Sequence, residues 1–179
     1  MRRAQAHNLY VSLVAQARDP AVFKSCQIDD SVDGRFDMIV LHLSLVLKRL
    51  KDAAAANQGL RSENFDKLSQ ELIGVYNNDM DRNLREMGVG DLSVGKHVKK
   101  MAKAFYGRLL AYDEALHAWD ESKDSAQMCD ALMRNIYRGD AHPKALKALL
   151  AHVSSYRQHL QDTSEDSLEE GFLPNSKKL

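Results

Sequence analysis

From Met38 to Leu50 the chain is apolar on nearly every side of a helix: Ile39, Val40, Leu41, Leu43, Leu45, Val46, Leu47 and Leu50 fall all round the wheel, interrupted by His42 and Ser44. A surface helix keeps one polar face, so a helix that is apolar all round has to be wrapped by other elements. The densest run, Met38 to Leu47, spans about ten residues, half of the ~20 that cross a bilayer. It reads as a buried core helix, and the rest of the chain must supply its wrapping.

The composition allows that. Nine Gly and three Pro among 179 residues leave long stretches without breakers, and 44% hydrophobic residues suffice for one packed core. Ala6, Leu9, Leu13, Val14 and Ala17 make the face of a first helix, which stops at Asp19-Pro20 because the residue before proline is pushed out of the helical region. A polar loop through Cys26 and Asp29 leads to Ser31, the N-cap of the central helix from about Val32 to about Ala56, with Asp33 placed to meet its dipole. Ser62 caps a third helix carrying Phe65, Leu68, Leu72, Tyr76, Met80, Leu84 and Met87 and ended by Gly88. Ser93 opens a fourth, with Val94, Val98, Met101, Phe105, Leu109, Tyr112 and Leu116 as its stripe. Asp124 with Gln127 reads as the capping box of a fifth, closed by Gly139, and Pro143 starts a sixth through Leu149, Val153, Tyr156 and Leu160. No alternating strand pattern occurs. The expectation is an all-α single compact domain of about six helices around a buried central helix over residues 1–162. A loose polar tail follows over 163–179, with Phe172 and Leu173 as its docking point.

Charge removes several function classes. Lys and Arg number 25 against 25 Asp and Glu, so no global field draws the chain to DNA or to an anionic membrane. Aromatics at 7% are too few for a carbohydrate or base-stacking surface. Cys26 and Cys129 lie far apart in no paired spacing, so no disulfide framework or zinc ribbon is encoded, and reduced cytoplasm fits best. No apolar signal core precedes Leu9, so neither a cleaved targeting peptide nor secretion is expected.

Four local patterns bear on chemistry. Gly90 to Lys96 matches most of a phosphate loop, but His97 stands where a magnesium-binding Ser or Thr belongs and a helix, not a strand, precedes it; it reads as a helix-to-helix corner. Lys96, Lys99, Lys100 and Lys103 fall within about 100° of one another on the fourth helix, opposite its apolar stripe. No acidic residue lies between Leu92 and Tyr112, so with Arg108 these lysines form a docking surface for an acidic protein or RNA phosphates. Asp79 and Asn83 project near the apolar face of the third helix, and Arg35, Arg82 or Arg85 would satisfy that carboxylate in an interior network. The seven histidines make no helical metal pair; His117, flanked by Asp113 and Asp120, reads as a surface pair, and no metal or cofactor is expected. No nucleophile carries a local signature, which argues against an enzyme.

Two segments carry a resemblance. One is Asp30-Ser31-Val32-Asp33-Gly34-Arg35-Phe36-Asp37-Met38-Ile39-Val40-Leu41-His42-Leu43; the other runs from Asp79-Met80-Asp81-Arg82-Asn83-Leu84-Arg85-Glu86-Met87-Gly88 through Ser93-Val94-Gly95-Lys96 to Phe105-Tyr106-Gly107. Together they resemble the ubiquinol-cytochrome c chaperone family, and the chain looks like a bacterial member. The resemblance implies an all-helical assembly factor for the respiratory cytochrome bc1 complex that holds newly made cytochrome b or another subunit. Family members also imply a small partner protein or the ribosome as partners, with a cytoplasmic location peripheral to the inner membrane through the client.

The residues fit holding better than turnover. Met80, Met87 and Met101, near the corner of the third and fourth helices, offer an adaptable apolar client groove, since methionine repacks against varied shapes. Arg35, Asp79, Arg82 and Asn83 are expected to fix that corner, and Lys96, Lys99, Lys100, Lys103 and Arg108 to dock a partner. The alternative is a helical lipid- or quinone-binding module whose apolar helices part to form a pocket.

Overall fold

The computed structural model describes residues 2–86 and 91–173, with side chains throughout except at 91–94. Eight helices and no strand occur among them: α1 (Arg2–Ala17), α2 (Pro20–Ser25), α3 (Val32–Ala56), α4 (Gly59–Glu86), α5 (Asp91–Ser122), α6 (Ala126–Asn135), α7 (Pro143–Asp162) and α8 (Glu165–Glu169).

The apolar run becomes the hub. Every residue from Asp37 to Val46 is buried, and α1, α4, α5 and α7 pack round α3. Ser31 starts it as the sequence implies, its Oγ accepting from the Gly34 amide at 3.1 Å. A Cβ on Gly34 would lie 2.1 Å from the Asp29 carbonyl oxygen, so the incoming chain folds against the helix at a distance only glycine tolerates. The apolar spacing of α4 buries Phe65, Leu68, Leu72, Tyr76 and Leu84, while that of α5 buries Phe105, Tyr112 and Leu116.

Several boundaries differ from the sequence reading. The polar loop before α3 contains α2: Asp19 accepts from the Ala21 amide at 2.9 Å and Pro20 takes the first helical position, so the pair that ends α1 also begins the next helix. Its Phe23, with Cys26 and Ile28 just beyond, is buried. α4 starts at Gly59 rather than at Ser62, since Gly59 takes φ +59° and turns the chain at once. Asp91 to Lys96 are helical and belong to α5, and a Cβ at Gly95 would meet nothing, so no corner forms there; Gly88 and Gly90 lie outside the described residues. The capping box of α6 does not form. Ser125 is its N-cap without a side-chain bond, and Asp124 accepts from the Ala126 amide at 3.0 Å instead. Gly139 closes the turn after α6 at φ +88°, its amide donating to Met133 O at 3.0 Å.

The loose tail expected from Thr163 is corrected as far as residue 173. Ser164 caps α8, and Leu168 and Leu173 are buried while Phe172 is exposed. Charge explains the ordering: Arg61 faces Glu165, Asp166 and Glu169 at 3.5, 2.6 and 3.4 Å, and Arg49 donates to the Leu160 and Thr163 carbonyls. The acidic composition that reads as disorder has a cation waiting on α4.

Candidate functional site

The groove between α3, α4 and α5 gathers more of the sequence-predicted residues than any other place. Phe36 and Ile39 of α3, Met80 and Leu84 of α4, and Met101 and Ala104 of α5 line it, enclosing a volume of about 590 Å³. Val32, exposed at the N-terminus of α3, stands at its mouth. Arg18, Arg35, Lys100 and Arg138 form a basic rim, with Asp33 and Glu86 the acidic contributors. A narrower groove of about 310 Å³ lies on the other side of Met80, Leu84 and Met101, bounded by Tyr76, Phe105 and Tyr106. The two methionines are thus half-buried dividers between two apolar clefts, where a side chain that repacks changes the shape of both. Met87 lies outside the described residues.

The corner network is only partly as expected. Asp79 accepts from Arg82 Nη2 at 2.5 Å and from Asn83 Nδ2 at 3.2 Å. Its third donor, missed from the sequence, is the Tyr10 hydroxyl of α1 at 2.8 Å. The α1–α4 seam that these groups close opens into a surface groove of about 880 Å³. Burial and the Asp79 carboxylate push the Tyr10 phenol well above its ordinary range. Arg35 is not in this network; it lies on the surface, its Nε and Nη2 donating to Asp30 at 2.6 and 3.1 Å. A partner five residues away before the helix starts is simply closer than one on another helix, and the Asp30 carboxyl is correspondingly lowered by that hydrogen bond.

The interior carboxylate is Asp37, 1% exposed. Arg108 Nε lies 2.8 Å from one of its oxygens and Arg138 Nη2 2.6 Å from the other. Burial lifts its carboxyl above the usual range while the two guanidinium groups pull it back. Arg108 also lies over the Phe36 ring at 5.2 Å. It therefore reaches the buried acid of α3 from one turn off the apolar stripe, while it also lines the α5–α6 groove beside Lys100 and Lys103. Both guanidinium groups of the network line the α3–α4–α5 groove.

Lys96, Lys99, Lys100 and Lys103 are all exposed, and none makes an ion pair among the described residues. Lys100 and Lys103 join Arg108 and Arg134 along a further groove of about 530 Å³ between α5 and α6.

Other titratable groups serve the core. The His42 ring, fully buried, lies with Nδ1 2.8 Å from Met38 O and Nε2 3.0 Å from His152 Nε2. A carbonyl only accepts, so His42 carries its proton on Nδ1, and His152 donates to its Nε2. Burial, reinforced by His152, holds His42 down to about 3. His117 lies 3.9 Å from Asp113, but Asp120 is taken by Lys48 at 2.9 Å and by Arg157. Burial raises the Cys26 thiol, opposite to the shift of a reactive thiolate. No cluster of three metal-ligating side chains occurs among the described residues, and no helix there is long and apolar enough to cross a membrane.

Against known proteins, residues 24–173 match the family described as ubiquinol-cytochrome C chaperone. The mouse ubiquinol-cytochrome c reductase complex assembly factor 1 is 23% identical over 164 residues, covering 91% of this chain and 51% of that protein. The human counterpart is 25% identical, covering 91% and 50%, and that of Xenopus laevis 21%, covering 91% and 76%. The chain thus spans about half the length of the mouse and human relatives. The crystal structure of the Cbp3 homolog from Brucella abortus superimposes with a TM-score of 0.77 at 33% identity, over 97% of this chain and 90% of that one.

Proposed function

Since the chain belongs to the ubiquinol-cytochrome c chaperone family, we propose that it holds a newly made subunit of the ubiquinol-cytochrome c reductase complex, cytochrome b in the first instance, during assembly. The observation that carries this reading is the apolar α3–α4–α5 groove walled by Met80 and Met101. An unfolded membrane-protein segment offers apolar side chains of varied shape, and flexible thioethers accommodate several of them where a jigsaw pocket takes one. The basic rim of Arg18, Arg35, Lys100 and Arg138 suits an extramembrane flank of opposite charge. The role requires binding and release, and no bond is made or broken. The grooves lie on the surface around a closed α3, which favours a polypeptide client over a quinone enclosed among the helices.

The test is capture of a cytochrome b segment by the purified chain. Met80→Glu with Met101→Glu places two charges in the groove at half-buried positions, and capture is expected to fall at least tenfold while the thermal midpoint stays near that of the parent. Deleting the gene is expected to deplete assembled complex and its cytochrome b absorbance. Normal complex levels in the deletion strain, or undiminished capture by the double variant, would overturn the proposal.

A further inference from the structure

Of the lysine stripe, only Lys100 reaches the rim of the α3–α4–α5 groove. Lys96, Lys99 and Lys103 point away from it, and beyond them on the same face of α5 stand Tyr106 and Leu110, 55% and 60% exposed. From Lys96 to Leu110 the face runs about 21 Å at the helical rise. Lys48, Lys51 and Lys67 each meet a carboxylate, whereas these lysines meet none among the described residues. Two grooves flank the face, the apolar one beside Tyr106 and the cationic one beside Lys100 and Lys103, so α5 stands between them as a ridge.

We infer that this ridge of α5 lies directly on an anionic phospholipid surface, Lys96, Lys99, Lys100 and Lys103 meeting the headgroup phosphates while Tyr106 and Leu110 enter the interface. Charge complementarity selects this occupant. The chain as a whole is neutral, so a field drawing it to anionic lipid has to be local, and it is concentrated here. The cations are lysines, strongly hydrated point charges on flexible stems that suit a diffuse sheet of phosphates; a registered contact with an acidic protein favours the planar fork of arginine, and protein interfaces are depleted in lysine. An exposed tyrosine and leucine in line with lysines give the apolar contact that headgroup attraction alone lacks. The contact ends where the charge changes sign, at Asp113, which faces Lys51 at 3.5 Å, and at the exposed Glu114. This inference stands apart from the chaperone reading, since it requires no client.

Sedimentation of the whole chain with vesicles tests it. The chain is expected to pellet with vesicles containing phosphatidylglycerol, to stay in solution with phosphatidylcholine alone, and to be released by salt. With each lysine near the surface worth roughly fivefold in partition, the quadruple change of Lys96, Lys99, Lys100 and Lys103 to Glu is expected to lower binding more than a hundredfold. Tyr106→Ser with Leu110→Ser is expected to lower it about tenfold with all charges kept. Circular dichroism confirms folding, and Lys99→Glu and Lys103→Glu taken singly supply the same test if the quadruple variant does not fold. Absence of vesicle binding, equal binding to neutral vesicles, or undiminished binding by the charge-reversed chains would overturn the proposal. So would capture by polyglutamate without vesicle binding, which would give the face to an acidic protein.

Discussion

Asp37 balances two groove-lining guanidinium groups from elements far apart in the chain. Replacing it by Asn keeps the shape and removes the charge, leaving the largely buried Arg108 uncompensated. The expected loss is about 3 kcal/mol, read from urea denaturation, in line with breaking one side of a buried pair. Arg138→Ala is expected to cost about 1 kcal/mol, since that side chain is half exposed and Arg108 still faces the acid. The sequence pointed to Asp79 for this role because its position on the wheel of α4 lies near the apolar face. That argument weighs one helix at a time; Asp79 sits at the seam where α1 supplies Tyr10. For Asp37 the signal was present in another form, since a carboxylate adjoining a helix buried all round shares its burial. The His42–His152 pair gives the second prediction. In the folded chain His42 stays neutral down to about 3, whereas the unfolded chain takes up that proton near 6.5. Between those values the unfolded state binds more protons, so stability is full above about 6.5 and falls on acidification by at most about 1.4 kcal/mol per pH unit from this group. Thermal melting between neutral and mildly acidic pH should show that slope, and His42→Leu should reduce it, leaving the part contributed by His152, which burial also holds below its ordinary value.

Helices longer than four turns were legible because apolar spacing, caps and breakers agreed along their length, which is why the spans of α3, α4, α5 and α7 follow the stripes read from sequence. The short helices were not. α2 and α8 have too few residues for a period, and they exist because something else pins them: Asp19 and Pro20 at the start of one, Arg61 and the buried Leu168 beneath the other. The glycines of the long helices divide in the same way, some set by geometry and some not. Gly34→Ala would drive a Cβ to 2.1 Å from Asp29 O in backbone that has to shift, and is expected to destabilise by about 1–3 kcal/mol. Gly74, in the middle of α4, has nothing within 4 Å of its notional Cβ, and Gly74→Ala is expected to stabilise by about 0.5–1 kcal/mol through helix propensity alone. Chemical denaturation of the two variants should move the midpoint in opposite directions.

At the scale of the whole molecule, one helix packed by four others couples the core, while the grooves and the exposed lysines lie outside it on the flanks of α4 and α5. Such a division lets groove residues vary without loss of the fold, and it can be tested by comparing two truncations of similar size. Leu41 is fully buried in α3, so Leu41→Ala is expected to cost about 2–5 kcal/mol and to bring α1, α4, α5 and α7 down together. Met101→Ala, at a half-buried groove position, is expected to cost about 1 kcal/mol or less because its side chain already lacks packing on one side. Unfolding followed by far-ultraviolet dichroism and by the fluorescence of Trp119, on α5 near the far end from the grooves, should give coincident curves for both variants. If the two probes separate in Met101→Ala, the α4–α5 corner unfolds on its own, and recognition is then coupled to local opening instead of being carried by a rigid flank of the bundle.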